Sequence, residues 1–137
     1  MNYQGYTLRP ADRLIAPIFA TGITQHHAIY VGQDAEGMQW LSENDHTAGV
    51  RLIRADHFLA RYKTFRVLPF IGTTEQRDEA VRRAYRDLGK PYDLLRYNCE
   101  HHSSFVQTGR AISRQVQVVM GGMLLLILWL SIAGTNK

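Results

Sequence analysis

The fold of the domain is indicated by one short stretch, residues 98–109: Asn98-Cys99-Glu100-His101-His102-Ser103-Ser104-Phe105-Val106-Gln107-Thr108-Gly109. Asparagine is among the strongest helix N-caps, and glycine commonly ends a helix in the left-handed conformation. The pattern therefore predicts a helix that begins at Asn98 and ends at Gly109. Cys99 would occupy its first position, and Phe105 and Val106 would be buried.

Cys99 is the only cysteine among the 137 residues. A single cysteine excludes an intramolecular disulfide framework and a cysteine-rich zinc site, and it is compatible with a reducing compartment. At the first position of a helix, the macrodipole and unpaired N–H groups favour the thiolate, the nucleophilic form of cysteine. The same N–H groups can stabilise an oxyanion on an attacked carbonyl. Since a cysteine is more often a small core residue, the histidines must decide between the two interpretations.

Among the six histidines, His26 is the better candidate for a general base. Residues 26–43 predict a β-hairpin, because a β-prone run is followed by a polar turn and a second short run. Alternation along the first strand places His26 on the face of the small Ala28, and His27 on the opposite, half-buried face. We therefore expect His26 to meet the helix that carries Cys99, and His27 to be structural.

The hairpin and the cysteine helix together resemble the lecithin retinol acyltransferase (LRAT) domain family, which includes small tail-anchored phospholipase A/acyltransferases. The family pattern is H-aromatic-A/G-I/L-Y-V/L-G, followed much later by N-C-E-H-F. Residues 26–32 and 98–101 match it, with His27 at the aromatic position and His102 in place of the phenylalanine. The resemblance implies a circularly permuted papain-like thiol fold of the α+β class, an antiparallel sheet packed on helices, related to NlpC-type peptidases. It also implies that Cys99 is the nucleophile and His26 the base.

The family usually has a third polar residue after the hairpin, often a histidine, and the sequence leaves this residue open. Alignment on the pattern places Trp40 there, and an indole cannot orient an imidazole in this way. Counting residue pairs across the hairpin instead predicts Glu43 opposite His26, where a carboxylate would stabilise the imidazolium. Asn44 and His46 are the alternatives.

The end of the chain differs from the rest, because residues 115–136 include no charged side chain. As a helix they would extend about 33 Å, enough for a hydrocarbon core of about 30 Å. We therefore divide the chain into a thiol domain, residues 1–114, and a C-terminal hydrophobic helix within residues 115–137 that anchors it in a membrane. Arg110 and Arg114 precede this segment, which predicts by the positive-inside rule that the domain is cytoplasmic. The alternatives are a buried helix and one that lies in the membrane interface.

These observations predict a membrane-attached cysteine acyl hydrolase or acyltransferase that needs no metal or organic cofactor. The expected substrate is a membrane phospholipid or another acyl ester, which Cys99 attacks to give a thioester. Nucleic acid is not an expected partner, because the net charge of +4 comes from scattered basic residues interleaved with acidic ones. A metal site of His26, Cys99, His101 and His102 is disfavoured, since a Cys-x-His pair on a helix cannot easily reach one ion. A cysteine peptidase or amidase of the NlpC type, and a non-catalytic membrane module that retains the fold, stay open.

Overall fold

A computed structural model describes residues 2–3, 5–18 and 24–135 of the chain. The elements are, in chain order, β1 (Asn2–Tyr3), β2 (Tyr6–Thr7), β3 (Arg13–Pro17), β4 (Gln25–Gln33), β5 (Gln39–Asp45), β6 (Gly49–Arg54), α1 (Ala55–Arg61), β7 (Arg66–Leu68), α2 (Thr74–Arg86), α3 (Cys99–Thr108) and α4 (Arg114–Thr135). β1 and β2 pair with each other, and the other five strands form one antiparallel sheet of order β6-β5-β4-β3-β7. The domain is therefore α+β, as the sequence predicted.

The hairpin of β4 and β5 is paired two residues away from the register that counting predicted. Ala28, and not His26, lies opposite Glu43. Because His26 and Ala28 share one face of β4, Glu43 is nevertheless a diagonal neighbour of His26 on that face. The predicted register is wrong, but the side chains of His26 and Glu43 are close together, as predicted.

Two local features set the observed register. The side chain of Asp34 accepts hydrogen bonds from the N–H groups of Glu36 (3.1 Å) and Met38 (2.8 Å), which keeps Met38 in the turn instead of the strand. A β-bulge between Tyr30 and Gly32 then shifts the pairing again. Gly32 adopts a φ of +113°, a conformation open to a residue without a Cβ. Neither feature is visible in hydrophobic periodicity, so counting pairs from the turn gave the wrong partner.

Helices cover both faces of the sheet. Even-numbered residues of β4 face α1, where Phe58 is buried in the same cluster as Ala28. Odd-numbered residues face α2 and α3, where Val106 is buried in the same cluster as Ile29. His26 and His27 therefore lie on opposite faces of the sheet. The helix α1 is not predicted from the sequence, because its 7 residues are too few for a clear helical period.

The helix α3 begins and ends as predicted. The side chain of Asn98 accepts hydrogen bonds from the N–H groups of Glu100 (2.9 Å) and His101 (3.0 Å). Gly109 ends the helix with a φ of +76°. Val106 is fully buried, whereas Phe105 is only half-buried, since it lies toward Lys90 on the flank of the helix. This placement leaves Cys99 at the first helical position, at the N-terminal end of α3.

The helix α4 contains the apolar C-terminal segment. Residues Arg114–Ala133 have a mean hydropathy of 2.2, and none of the residues in the apolar window is buried by the rest of the described chain. A buried C-terminal helix is therefore contradicted. By length and composition α4 is able to cross a membrane and anchor the domain. The cytoplasmic location of the domain stays a prediction.

Candidate active site

Cys99 and His26 come together where the N-terminus of α3 meets the start of β4. The side chain of His26 interacts with that of Cys99, and this interaction raises the pKa of His26. The Cys99 thiol also lies 3.6 Å from the backbone carbonyl oxygen of Gln25, the residue that precedes His26. Both residues are buried, with exposures of 8% for Cys99 and 7% for His26. The two side chains that the sequence predicted as nucleophile and base therefore line the same cavity.

Glu43 holds the other side of the imidazole. His26 Nε2 lies 2.6 Å from Glu43 Oε2, so Nδ1 is the nitrogen left for the sulphur. The other carboxylate oxygen, Oε1, accepts hydrogen bonds from Arg51 Nε (3.0 Å) and Nη2 (2.8 Å). The side chains of Cys99, His26, Glu43 and Arg51 therefore follow one another in a row, in which hydrogen bonds join Glu43 to both His26 and Arg51.

This row favours the charged form of the imidazole. Burial by itself lowers the pKa of His26, but hydrogen bonds and charge interactions with Cys99 and Glu43 outweigh it and raise that pKa to about 9. Burial likewise opposes the ionisation of Glu43, yet hydrogen bonds from His26 and Arg51 keep its pKa below the ordinary value. At neutral pH the arrangement supports a His26 imidazolium paired with the Glu43 carboxylate and placed beside the Cys99 side chain, an arrangement suited to nucleophilic catalysis.

The other candidates for the third residue are engaged elsewhere. Asn44 donates from Nδ2 to the carbonyl oxygen of Tyr97 (2.6 Å), and the Trp40 indole donates to Asp34 (2.8 Å). His46 lines the same cavity as His26, but the described residues give it no hydrogen bond to that imidazole. Only Glu43 of the three candidates is therefore placed to orient His26.

The remaining histidines of the two adjacent pairs have structural partners. His101 Nδ1 accepts from the N–H of Asn98 (3.3 Å) and completes the capping box of α3. His102 lies between Ser42 Oγ (2.9 Å) and Asp87 Oδ2 (3.1 Å). His27, predicted as half-buried and structural, is fully buried beside Arg13. Within the described ranges, no three His, Cys, Asp or Glu side chains are grouped to hold a metal ion.

Aromatic residues that the sequence analysis missed complete the site. The ring of Tyr62 is stacked on the imidazole of His26, with centroids 5.3 Å apart and planes at 17°. Phe58 packs behind both rings. Tyr62 and Tyr92 line a cavity of about 280 Å³ that also contains Cys99 and His26. Tyr62 follows α1, a helix that was not predicted, so no sequence signal connected it to the site.

A second cavity, of about 240 Å³, leads from Cys99 toward α4. Its walls are mainly apolar and include Leu94, Leu95, Val116 and Val119. Leu94 and Leu95 are 66% and 54% exposed, an unusual position for two adjacent leucines. Cys99 therefore lies at one end of an apolar cleft, and the first turns of the long apolar helix form its other wall.

Hydrogen bonds fix the start of α4 against α3, the helix that begins with Cys99. Glu100, the residue after Cys99, accepts from Ser113 Oγ (2.7 Å) and from the N–H of Gln115 (3.0 Å). The Gln115 side chain accepts in turn from the N–H of Gln25 (3.3 Å). The start of α4 is therefore hydrogen-bonded to Glu100, which follows Cys99 in the chain, and to Gln25, whose carbonyl oxygen lies beside the thiol.

The first turn of α3 also offers an oxyanion site. Asn98 engages the N–H groups of Glu100 and His101, and the described residues provide no acceptor for the N–H of Cys99. An unpaired N–H beside the attacking sulphur is the usual donor to the oxygen of a tetrahedral intermediate. Tyr92 lines the same cavity as Cys99. Burial raises the pKa of Tyr92, so its hydroxyl stays protonated and able to donate.

Comparison with known proteins agrees with this geometry. A family model described as a permuted papain-like amidase enzyme, YaeF/YiiX, C92 family, matches residues 9–106. That range includes Cys99, His26 and Glu43. No curated protein matches the chain significantly. The family match supports the permuted papain-like superfamily that the sequence resemblance implied, whereas the LRAT domain family within it is not confirmed.

Proposed function

The chain belongs to the YaeF/YiiX, C92 family of permuted papain-like amidases, and from this premise we propose that it is a cysteine hydrolase that cleaves acyl bonds of membrane lipids. One observation above all supports a lipid: the apolar cleft that connects Cys99 to Val116 and Val119 of α4. An acyl chain entering along α4 would reach the thiol without crossing water. The anchoring helix also keeps enzyme and substrate in the same membrane surface, which raises the effective substrate concentration.

The proposed reaction has two steps. The Cys99 thiolate attacks the acyl carbonyl, and the tetrahedral intermediate collapses to a thioester as the His26 imidazolium protonates the leaving alcohol or amine. Neutral His26 then takes a proton from water, whose oxygen attacks the thioester and releases the carboxylic acid and the Cys99 thiol. If an alcohol or amine replaces water in the second step, the product is a transferred acyl group. Glu43 keeps the imidazole oriented through both steps.

The Cys99 N–H and the Tyr92 hydroxyl are the proposed donors to the oxyanion. The first lies at the start of α3, and the second is on the wall of the cavity that contains the thiol. Removing one oxyanion donor from a hydrolase typically costs about 10²–10³ in kcat. Because the Tyr92 hydroxyl is proposed to donate to the oxyanion together with the Cys99 N–H, the Tyr92→Phe variant is expected to have a lower kcat and an unchanged KM.

A peptide or amide substrate is the second candidate, because the matching family is described as amidases. The cavity around His26 has a more polar wall than the apolar cleft, with Asn44, Asp45 and Arg61 among its residues. The buried Oδ1 atom of Asn44 has no hydrogen-bond partner among the described residues, so it is free to accept from a substrate N–H. An amide bond in this cavity would be cleaved by the same two steps.

The test is intact-mass analysis of the full-length protein in detergent micelles, incubated with a short-chain phosphatidylcholine or a blocked peptide amide. The lipid proposal predicts an acyl adduct on Cys99 from the phospholipid, which the Cys99→Ala and His26→Gln variants do not form. The His57→Gln variant is the matched control, because His57 is exposed on α1 and away from the site. An adduct with the peptide and none with the lipid would assign the second candidate.

A pair of valine variants tests the cleft itself. Val119 lines the apolar cleft, whereas its neighbour Val118 is 74% exposed and does not line it. The Val119→Trp variant is expected to lose most of its lipid hydrolysis, because the indole fills the cleft, and Val118→Trp is expected to keep it. Equal activities of the two variants on phospholipid would refute the acyl-chain route along α4.

A further inference from the structure

A separate cleft, of about 760 Å³, lies on the opposite face of the sheet from His26, and the proposed reaction does not use it. Its walls come from β3, β4 and β7, the end of α3 and the start of α4. Its volume falls in the range of small-molecule sites. His27 is part of its wall, and this residue faces away from the cavity that contains Cys99.

The charge of this cleft is strongly positive. Four arginines line it against one carboxylate, that of Glu100, and they are Arg13, Arg66, Arg110 and Arg114. Glu100 lies 3.9 Å from Arg13 and already accepts hydrogen bonds at the start of α4. Within the described part of the chain, no carboxylate forms an ion pair with the other three arginines. Four arginines that converge from three chain segments, three of them without an acidic partner among the described residues, indicate a site for an anion.

His27 adds a buried donor to the same wall. Arg13 Nε donates to His27 Nδ1 (2.8 Å), and a guanidinium has no acceptor atom, so the proton of neutral His27 is on Nε2. Burial, together with the charge of Arg13, keeps the pKa of His27 far below its ordinary value, so the ring stays neutral. His27 is 2% exposed, and its Nε2 has no hydrogen-bond partner among the described residues. A ligand with acceptor oxygens would satisfy this N–H.

We propose that this arginine cleft binds the phosphate group of an anionic membrane phospholipid. The planar forks of arginine match the oxygens of a phosphate, and a phosphate carries only acceptors, which suits the unpaired N–H of His27. Arg114 and Gln115, at the first turn of α4, also line the cleft. If α4 enters a membrane, the cleft therefore lies at the depth of the headgroups, where basic residues attract anionic lipids. The site is independent of the reaction proposed for Cys99.

The test is a binding measurement that needs no activity readout. Native mass spectrometry measures the lipid bound to the full-length protein in non-ionic detergent. The Cys99→Ala background prevents turnover of the added lipid. Phosphatidylglycerol is expected to bind at least about 10-fold more tightly than phosphatidylcholine with the same acyl chains. The Arg66→Gln/Arg110→Gln variant should lose this preference. Arg82→Gln/Arg86→Gln is the matched control, because it removes two exposed arginines of α2 that do not line the cleft.

Two further measurements, with a lysine variant and with inorganic phosphate, identify the ligand. The Arg66→Lys/Arg110→Lys variant keeps the net charge of the cleft. If it binds phosphatidylglycerol more weakly than the protein with both arginines, recognition by the arginine forks is supported; if the two affinities are equal, that recognition is refuted. Both arginines are exposed, and a melting curve verifies that the variants fold. Inorganic phosphate that binds as tightly as phosphatidylglycerol, with the same sensitivity to the variants, would overturn the lipid assignment. An unchanged lipid preference in Arg66→Gln/Arg110→Gln would overturn the site.

Discussion

Replacing Glu43 with glutamine is expected to lower the pKa of His26 and to move the alkaline limit of activity to lower pH. The folded protein raises the pKa of His26 from 6.5 to about 9. This difference corresponds to about 3 kcal/mol of stabilisation of the imidazolium, at about 1.4 kcal/mol per unit. Equal sharing between Cys99 and Glu43 assigns about one unit to the carboxylate. Because burial of His26 acts in the opposite direction, the decrease is expected to be at least that large.

The assay is kcat/KM as a function of pH, on whichever acyl substrate forms the Cys99 adduct. The imidazolium is the protonated form, so the wild-type protein should lose activity as the pH rises through about 9. In the Glu43→Gln variant the same loss should occur at about pH 8 or below. Titration of the histidine signals by NMR measures the pKa of His26 independently of turnover.

Asp87→Asn is the matched control for this experiment. It also removes a carboxylate from a buried histidine, since Asp87 Oδ2 lies 3.1 Å from His102 Nδ1, but that pair does not touch the thiol. Its alkaline limit should equal that of the wild type. If Glu43→Gln folds and its alkaline limit does not move, or if both variants shift alike, the role assigned to Glu43 is wrong.

Three further predictions test the fold and its anchor. Gly49→Ala should lower the free energy of unfolding in urea by about 2–4 kcal/mol, because the added Cβ would lie 2.5 Å from the carbonyl oxygen of Lys90 at a φ of +72°. Gly37→Ala, with φ +81° and open space around it, should cost only about 1–2 kcal/mol; equal losses would refute the steric argument. Glu100→Gln should weaken hydrolysis of vesicle lipid several-fold more than that of a soluble ester, because it loosens the start of α4, and a uniform loss would contradict this. Leu125→Arg should release the protein from membranes on carbonate extraction, since an arginine at the centre of a spanning helix costs about 2.5–3.5 kcal/mol, whereas a Leu125→Ala control should stay bound.

The parts of the site that depend on local chemistry could be predicted from the sequence. The N-cap at Asn98 and the end of α3 at Gly109 are confirmed. Each depends on hydrogen bonds between residues two to four positions apart, so the residue types alone specify it. His26 was preferred over His27 by the alternation of a strand, which is equally local.

Periodicity was less reliable where tertiary packing competes with it. In the sequence an apolar helical period runs from Ala80 to Leu88, yet Tyr85 is 47% exposed and Leu88, which follows the end of α2, is 39% exposed. Arg77 of the same helix is buried instead, because its guanidinium donates to the buried carboxylate of Asp12 (3.1 Å). An ion pair across 65 positions of the chain has no signature in the sequence of either segment.

The sequence by itself determined a lone thiol at a capped helix start, a histidine on a strand, and an apolar segment long enough for a membrane. Only the tertiary structure decided which groups surround the thiol. The turn at Asp34 and the bulge at Gly32 set the register that puts Glu43 diagonal to His26. Packing of α1 brings Tyr62 onto the imidazole. Caps and alternation depend on neighbours in the chain, whereas strand register and helix docking depend on contacts distant in sequence, which are fixed only when both faces of the sheet are covered.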